Sequence, residues 1–574
     1  MTAALTTAQL TQEHRPTLDQ ALEAIRTRAY WSPHPEHPKA YGGEGRGGRP
    51  SLSVAEGQAA FEALRGKRLE LDQPGTDGWT GSEVSPFGAE MGMEYPHPDL
   101  DVLLPAMRAG MSAWREAGPE TRALVCLEIL ARISARSHEF AQAVMHTSGQ
   151  AYMMAFQAGG PHAQDRGLEA VAYAFAEQTR TPGAADWSKP QGKRDPLRLR
   201  KTFTAVPRGI ALLIGCNTFP TWNGYPGLFA SLATGNPVLV KPHPQAVLPL
   251  ALTVRTAREV LREAGFSPDL VALAAERPDE GIAKVLAVRP EIRIIDYTGS
   301  TAFGDWLETH ARQAQVFTEK AGVNTVVIDS TDDYQGMLAN LAFSLSLYSG
   351  QMCTTPQNLL IPRAGITTDA GPKTYDEVVA DLAAAVDGLL ADDARASALL
   401  GAIVGPRVQE RLEAAPGLGG VALASRAVTH PDFPDATVRT PLMVKADGAR
   451  KFWEGAEPDA PYLSECFGPV SFAVAVDSTE EAVALLRRTT RDKGAMTVGA
   501  YTTSPEAERL IEEACLEECA QLSLNLTGGV YVNQTAAFSD FHGTGGNPSA
   551  NATLCDGAFV AGRFRMVEVR RPAE

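Results

Sequence analysis

The chain has 574 residues, 44% hydrophobic and 21% charged, with a formal charge of 52 − 68 = −16. That length exceeds one ordinary hydrophobic core, so two or three domains are expected. So acidic a balance argues against sequence-independent nucleic-acid binding, which needs a basic surface, although a local pocket suffices for an anionic ligand. Seven cysteines, an odd number at scattered positions, argue against a disulfide framework. Met1 to Arg15 lacks the basic and apolar blocks of a signal peptide. No apolar run reaches the roughly 20 residues that span a bilayer. A cytoplasmic, reducing setting without membrane contact is therefore expected.

Residues 16–30 read as a short helix, with Leu18, Ala21, Leu22 and Ile25 on one face. Trp31 to Pro50, rich in proline and glycine, reads as a wrapping loop or a linker. From about Leu100 to Gln150 apolar residues recur at helical spacing, as in Leu124, Leu127 and Leu130 and again in Phe140, Ala143 and Val144. The texture changes near Arg198. Arg200 to Pro207 reads as an extended arm, and Ile210–Ile214 as a buried strand. Pro237 to Val240 is a second strand, followed by a helix from about Leu248 to Ala264. A third strand spans Ile292 to Tyr297, with a helix after Gly299. Strand–helix alternation at this spacing predicts a parallel sheet. Val323 to Ile328 opens a second such series, which continues to about Leu526, and Phe564 to Val569 is a last strand. Cys515 and Cys519, at i and i+4 on a helix, are assigned to packing, and no metal site is expected.

Four segments carry chemistry. Cys353 sits in Gly350-Gln351-Met352-Cys353-Thr354, and Glu319 follows the strand-like run Ala314 to Thr318. A thiol that forms a covalent adduct and a carboxylate that activates water are the two groups needed to oxidise an aldehyde to an acid. Thr298-Gly299-Ser300 lies between a strand and a helix, where backbone N–H groups favour phosphate oxygens. Lys241 ends a strand, the place where open α/β sheets bind ligands. Taken singly, each has a plainer reading: a buried structural thiol, a capped turn, a solvated lysine.

In order along the chain, Thr234 to Pro242, Thr298-Gly299-Ser300, Glu319, Gly350 to Cys353 and Glu465-Cys466-Phe467-Gly468-Pro469 resemble the aldehyde dehydrogenase superfamily over roughly residues 100–570. The resemblance implies an α/β fold with two parallel-sheet, Rossmann-like domains and a β oligomerisation arm. It divides the chain into an N-terminal extension with the first part of the cofactor-binding domain (1–190), the arm (191–206), the cofactor-binding core (207–318), the catalytic domain (319–526), a return to the cofactor-binding domain (527–558) and a C-terminal oligomerisation strand (559–574). The longer gap between Cys353 and Glu465 implies an insertion around residues 365–395.

The family's roles fall on matching positions. Cys353 becomes the nucleophile and Glu319 the base for the deacylating water. Asn217, with Asn223 as its competitor, becomes the oxyanion donor. Lys241 meets the adenosine ribose, Gly299 and Ser300 the pyrophosphate, Glu465 the nicotinamide ribose and Phe467 the nicotinamide. NAD-preferring relatives carry an acid three positions after the lysine, where this chain has Pro244. NADP is therefore the first expectation, with Lys241 and His243 attracting its 2′-phosphate, and NAD remains possible.

The text around Glu319 (Thr318 to Asn324) and Cys353 (Gly350 to Asn358) is similar to the phenylacetate-degradation PaaN group. That similarity implies a CoA-linked substrate, 3-oxo-5,6-dehydrosuberyl-CoA semialdehyde. The chain stops after its last strand, so a ring-opening hydratase is expected as a separate partner. A homodimer or homotetramer is implied as well. The alternatives are another aromatic or aliphatic aldehyde, or a non-catalytic binding or structural role on the same fold. A CoA-acylating enzyme is disfavoured because such enzymes lack the base that Glu319 supplies.

Overall fold

In a computed structural model, which describes residues 4–43, 49–320, 322–455 and 460–573, the strands gather into two large sheets and a small arm. The first sheet has five parallel strands in the order Val271–Leu273, Val238–Lys241, Ile210–Ile214, Ile292–Thr298, Gln315–Glu319. Ile210–Ile214 is buried along its whole length, as a central parallel strand covered on both faces must be. The chain winds outward from it first to one side and then to the other. This creates a switch point at its carboxyl end, where α/β sheets hold ligands.

The second sheet has seven strands, in the order Gly420–Leu423, Leu442–Asp447, Val470–Val476, Asn358–Pro362, Thr325–Ile328, Val498–Tyr501, Leu522–Leu524. All its pairings are parallel except that of the edge strand Gly420–Leu423. The segment after Cys353 that the spacing marked as an insertion forms a hairpin, Ile366–Thr368 with Gly371–Lys373, and then the helix Tyr375–Leu389.

The N-terminal helix is longer than the segment 16–30 suggests. It runs Thr7–Thr27 from a Thr6/Gln9 capping box and passes through Pro16. Leu10 and His14 continue the buried stripe of Leu18 and Ala21, and that packed face outweighs the one backbone hydrogen bond that Pro16 removes. Of the loop from Trp31 to Pro50, residues 44–48 lie outside the described residues.

Beyond this helix the chain seals the edge of the first sheet. The Gln73 side chain donates to Leu273 O and accepts from Leu273 N, both at 2.9 Å, in the manner of an added strand. Glu83 accepts from Val247 N (2.6 Å) and Leu248 N (2.9 Å), capping the helix Leu248–Glu263 from outside.

The arm is a hairpin, Ala184–Gln191 with Arg194–Pro207, and starts earlier than the expected residue 191. The C-terminal strand Phe564–Pro572 pairs antiparallel with it over nine residues. That strand is anchored by Arg563, which is fully buried and makes a bidentate pair with Asp296 (2.6 and 2.8 Å). No helix among the described residues is long and apolar enough to cross a membrane.

Candidate active site

Cys353 follows an unusual turn. Tyr348 (φ 54°), Ser349 (φ 51°) and Gly350 (φ 64°) are consecutive left-handed residues. Two of them carry side chains, each held there at a cost of order 1–3 kcal/mol. The surroundings hold them in place: the Tyr348 hydroxyl donates to Ser148 O, and Ser349 Oγ bonds to Leu400 O and Arg439 O, both at 3.2 Å. On the far side Asn324 Nδ2 donates to Cys353 O (2.7 Å) and Thr355 O (3.0 Å). The Cys353 loop is thus clamped from both sides, with Cys353 half-buried.

Glu319 ends the strand Gln315–Glu319 and is buried. One carboxylate oxygen accepts from Asn223 Nδ2 at 2.9 Å, and the other lies 3.0 Å from His542 Nε2. The same nitrogen is 3.9 Å from Cys353 Sγ. One donor atom from each of Glu319, Cys353 and His542 lies within 4.8 Å of the others, a spacing that would also admit a metal ion and that no sequence motif anticipated.

Burial acts to raise Glu319, but the His542 imidazole and the hydrogen bonds from His542, Cys353 and Asn223 together hold it below the usual carboxylate range. The Cys353 thiol is pushed well up, by burial first and then by the Glu319 carboxylate. Around them Phe219, Trp222, Phe343 and Met352 belong to an apolar cluster with Cys216 and Tyr348.

The two candidate asparagines part ways. Asn223 is committed to Glu319. Asn217, in the loop after Ile210–Ile214, carries a buried Oδ1 without a partner.

Glu465 stands on a loop tied to the Cys353 segment by Gln357, whose side chain accepts from Cys466 N (2.7 Å) and donates to Ser464 O (3.1 Å). Burial pushes Glu465 up to about 7, against the lowering pull of Arg411. It also contributes to raising Cys353. Phe467 is half-buried beside it.

At the other end of the switch point, Gly299 N donates to Glu319 O (3.1 Å), tying the glycine turn to Glu319. Ser300 is the exposed N-cap of the helix Thr301–His310 and makes no side-chain capping bond. The helix therefore presents its first N–H groups without a side-chain acceptor, as a diphosphate site requires.

Lys241 is buried and ion-paired with Glu276, a carboxylate that the motifs did not bring forward. Glu276 also accepts from Ile282 N at 3.2 Å. His243 is pushed down to about 4, by burial first and then by Lys241. At neutral pH it carries no charge, so it offers a hydrogen bond rather than the attraction for a 2′-phosphate that the sequence suggested.

His542 and Glu276 are the site residues that sequence motifs missed. Each lies in a segment without a periodic or spaced signature, so only proximity identifies it. Glycine-rich turn, buried lysine and half-buried carboxylate together suit a dinucleotide.

A doubly wound sheet whose strand ends face a clamped cysteine and a buried carboxylate defines an α/β protein of the nucleotide-binding class with a thiol at its site. The aldehyde dehydrogenase family profile matches residues 93–546, and the chain belongs to that family. Its structure superposes on the crystal structure of an NAD-dependent aldehyde dehydrogenase from Burkholderia multivorans with a TM-score of 0.93 and 53% identity, covering 98% of this chain and 99% of that one. A 1-pyrroline-5-carboxylate dehydrogenase of Bacillus licheniformis is 27% identical over 48% of this chain and 50% of its own length. The chain thus spans about half the length of the curated relatives it matches first. An NADP-dependent glyceraldehyde-3-phosphate dehydrogenase from Bacillus halodurans, complexed with NADP, shares the fold at 16% identity and a TM-score of 0.66, over 86% of this chain and 95% of that one.

Proposed function

We propose that the protein oxidises an aldehyde to a carboxylic acid with NAD or NADP. The observation that carries this reading is the convergence of Cys353 and Glu319 at the carboxyl ends of the first sheet, within 4.8 Å of one another. Cys353 Sγ attacks the aldehyde carbon and forms a thiohemiacetal. Asn217 and the Cys353 backbone N–H stabilise its oxyanion, an interaction typically worth about 2.7–4 kcal/mol per donor. A bound nicotinamide, with Glu465 and Phe467 to hold it, would supply the acceptor for the hydride on that carbon. Glu319 then takes a proton from the water that hydrolyses the thioester, which makes the enzyme non-acylating. The apolar cluster of Phe219, Trp222, Phe343 and Met352 excludes water from the reacting carbon.

The substrate we favour is the CoA-linked semialdehyde of phenylacetate ring opening, supported by the PaaN-like text around Glu319 and Cys353. The apolar surroundings of Cys353 suit the uncharged end of such a molecule. A separate hydratase would supply it, in the cytoplasm, to a homo-oligomer built through the arm. Comparing kcat/KM for the CoA semialdehyde with that for benzaldehyde, phenylacetaldehyde and hexanal tests this. A simple aldehyde that matches the CoA-linked one ends the pathway reading and leaves the aldehyde oxidation standing.

For the cofactor, Pro244 leaves no carboxylate to repel a 2′-phosphate and supports NADP. The Lys241–Glu276 pair favours a second reading, in which Glu276 accepts from the ribose 2′-hydroxyl of NAD. The name of the Burkholderia multivorans relative, NAD-dependent, agrees with the latter. Reduced-cofactor absorbance with each nucleotide and one aldehyde separates the two.

A further inference from the structure

His542 is 189 residues from Cys353 and 223 from Glu319, yet one ring nitrogen serves both: Nε2 lies 3.9 Å from the sulfur and 3.0 Å from Oε1. A single nitrogen cannot accept from the thiol and donate to the carboxylate at once. In one state Nε2–H donates to the Glu319 carboxylate; with its proton on Nδ1 instead, the imidazole offers Nε2 a lone pair toward Sγ. Once Nε2 has taken the thiol proton, the imidazolium N–H points at the Glu319 carboxylate, which stabilises it.

The ring is fixed for this task. Its backbone exchanges hydrogen bonds with Leu554 (3.3 and 3.0 Å), and Trp222 packs edge-to-face against it at 4.6 Å. Buried Arg166 lies over Trp222, donates to Asp540 O (3.1 Å) and Leu554 O (3.3 Å), and so ties down the segment that carries His542. Glu319 cannot swing away freely, because its other oxygen is held by Asn223. The remaining titratable groups acting on the sulfur, Cys216 and Glu465, both oppose a thiolate, as does Glu319 itself. Cys353 therefore needs a proton acceptor, and His542 is placed to be one.

We propose that His542 is a catalytic residue that accepts the Cys353 thiol proton as sulfur attacks the aldehyde and returns it to sulfur when the acyl group leaves. The balance closes. The S–H bond breaks and an Nε2–H bond forms as the C–S bond is made. On hydrolysis the C–S bond breaks, the Nε2 proton goes back to sulfur, and Glu319 separately holds the proton taken from water. This rests on Cys353 being the nucleophile.

The test is the rate of iodoacetamide alkylation at Cys353 across pH, followed by mass spectrometry on the full chain and on His542→Gln. Glutamine keeps a donor for Glu319 but cannot accept and hold a proton. The wild-type rate should already be on a plateau at neutral pH, with no further steep rise under alkaline conditions. For His542→Gln the rate at pH 7 should fall about 100-fold, within the usual span for general-base assistance. It should then climb with alkalinity toward the wild-type rate.

A histidine that only supports the structure would scale the whole curve by one factor, and that result overturns the proposal. So does a wild-type chain whose alkylation has only an alkaline limb, whatever the variant does. Failure of the nucleophile reading is distinguishable, because Cys353→Ser would then retain NAD(P)H production.

Discussion

Glu319 meets three groups at once: Asn223, His542 and the Cys353 thiol. Glu319→Gln preserves the shape and removes the base. Acylation should survive better than deacylation, giving a burst of reduced cofactor followed by slow turnover, with the thioester trapped and visible by mass spectrometry. If burst and steady rate fall together with no trapped thioester, another group activates the water.

At the far end of the cofactor site, Glu276→Gln should move selectivity toward NADP. It removes a negative charge beside Lys241, and two unit charges about 4 Å apart repel by on the order of 4 kcal/mol at an effective dielectric near 20, less where water enters. The ratio of kcat/KM for the two nucleotides is the readout. An unchanged ratio would mean that Glu276 does not face the ribose.

The motifs brought Cys353, Glu319 and Lys241 forward because each sits at a strand end or in a sharp turn with its own local pattern. Asn223 was only a competitor to Asn217, since a sequence cannot tell which of two amides on one loop and helix turns toward Glu319. His542 and Glu276 had no local signal at all.

Two elements hold the frame around this site. The Arg563–Asp296 pair joins the C-terminal strand to the strand Ile292–Thr298, with the guanidinium stacked on Phe317 (4.4 Å) and Phe559 (4.1 Å). Arg563→Ala would strand a buried carboxylate, and breaking such a pair typically costs about 3–5 kcal/mol. Chemical denaturation should register that loss, whereas Arg200→Ala, at an exposed pair with Asp186, should change stability by under about 1 kcal/mol.

The second element is the N-terminal helix. His14, Arg49 and Arg132 converge on buried Glu128 in the helix Gly118–Ser134. Burial works to raise Glu128, but those three hydrogen-bonding partners bring it down to about 2. A carboxylate lowered in the folded state stabilises fully above its ordinary value of about 4.5, and that contribution fades as pH falls through about 2. It is of order 3 kcal/mol. Glu128→Gln should flatten the acid limb of a stability–pH curve between about pH 4.5 and 2. An unchanged limb would assign acid sensitivity elsewhere.

At the scale of the molecule, the arm stands apart from both cores. Its strand Ala184–Gln191 is an open edge, and Leu197, Val567 and Val569 are exposed on its sheet. Exposed edges and apolar sheet positions invite pairing with another chain. Val567→Lys with Val569→Lys should lower the assembly state seen by analytical ultracentrifugation while leaving the first sheet's nucleotide binding intact. A wild-type chain that sediments as a monomer at all concentrations would remove the arm's role.

Local pattern by itself determined the central strands of the first sheet, the opening strand of the second, the cysteine and the carboxylate, and with them the family, because strand periodicity, turn residues and motif spacing are written in consecutive residues. The tertiary structure alone decided which groups surround that pair. The return segment runs beside Gln315–Glu319, through Asn551 N to Thr318 O and Lys320 N to Ser549 O, and so carries His542 to the thiol. Glu276 reaches Lys241 because adjacent parallel strands end side by side. Partners brought together by sheet order leave no period in the sequence, since the packing of distant segments, not their own composition, sets the contact.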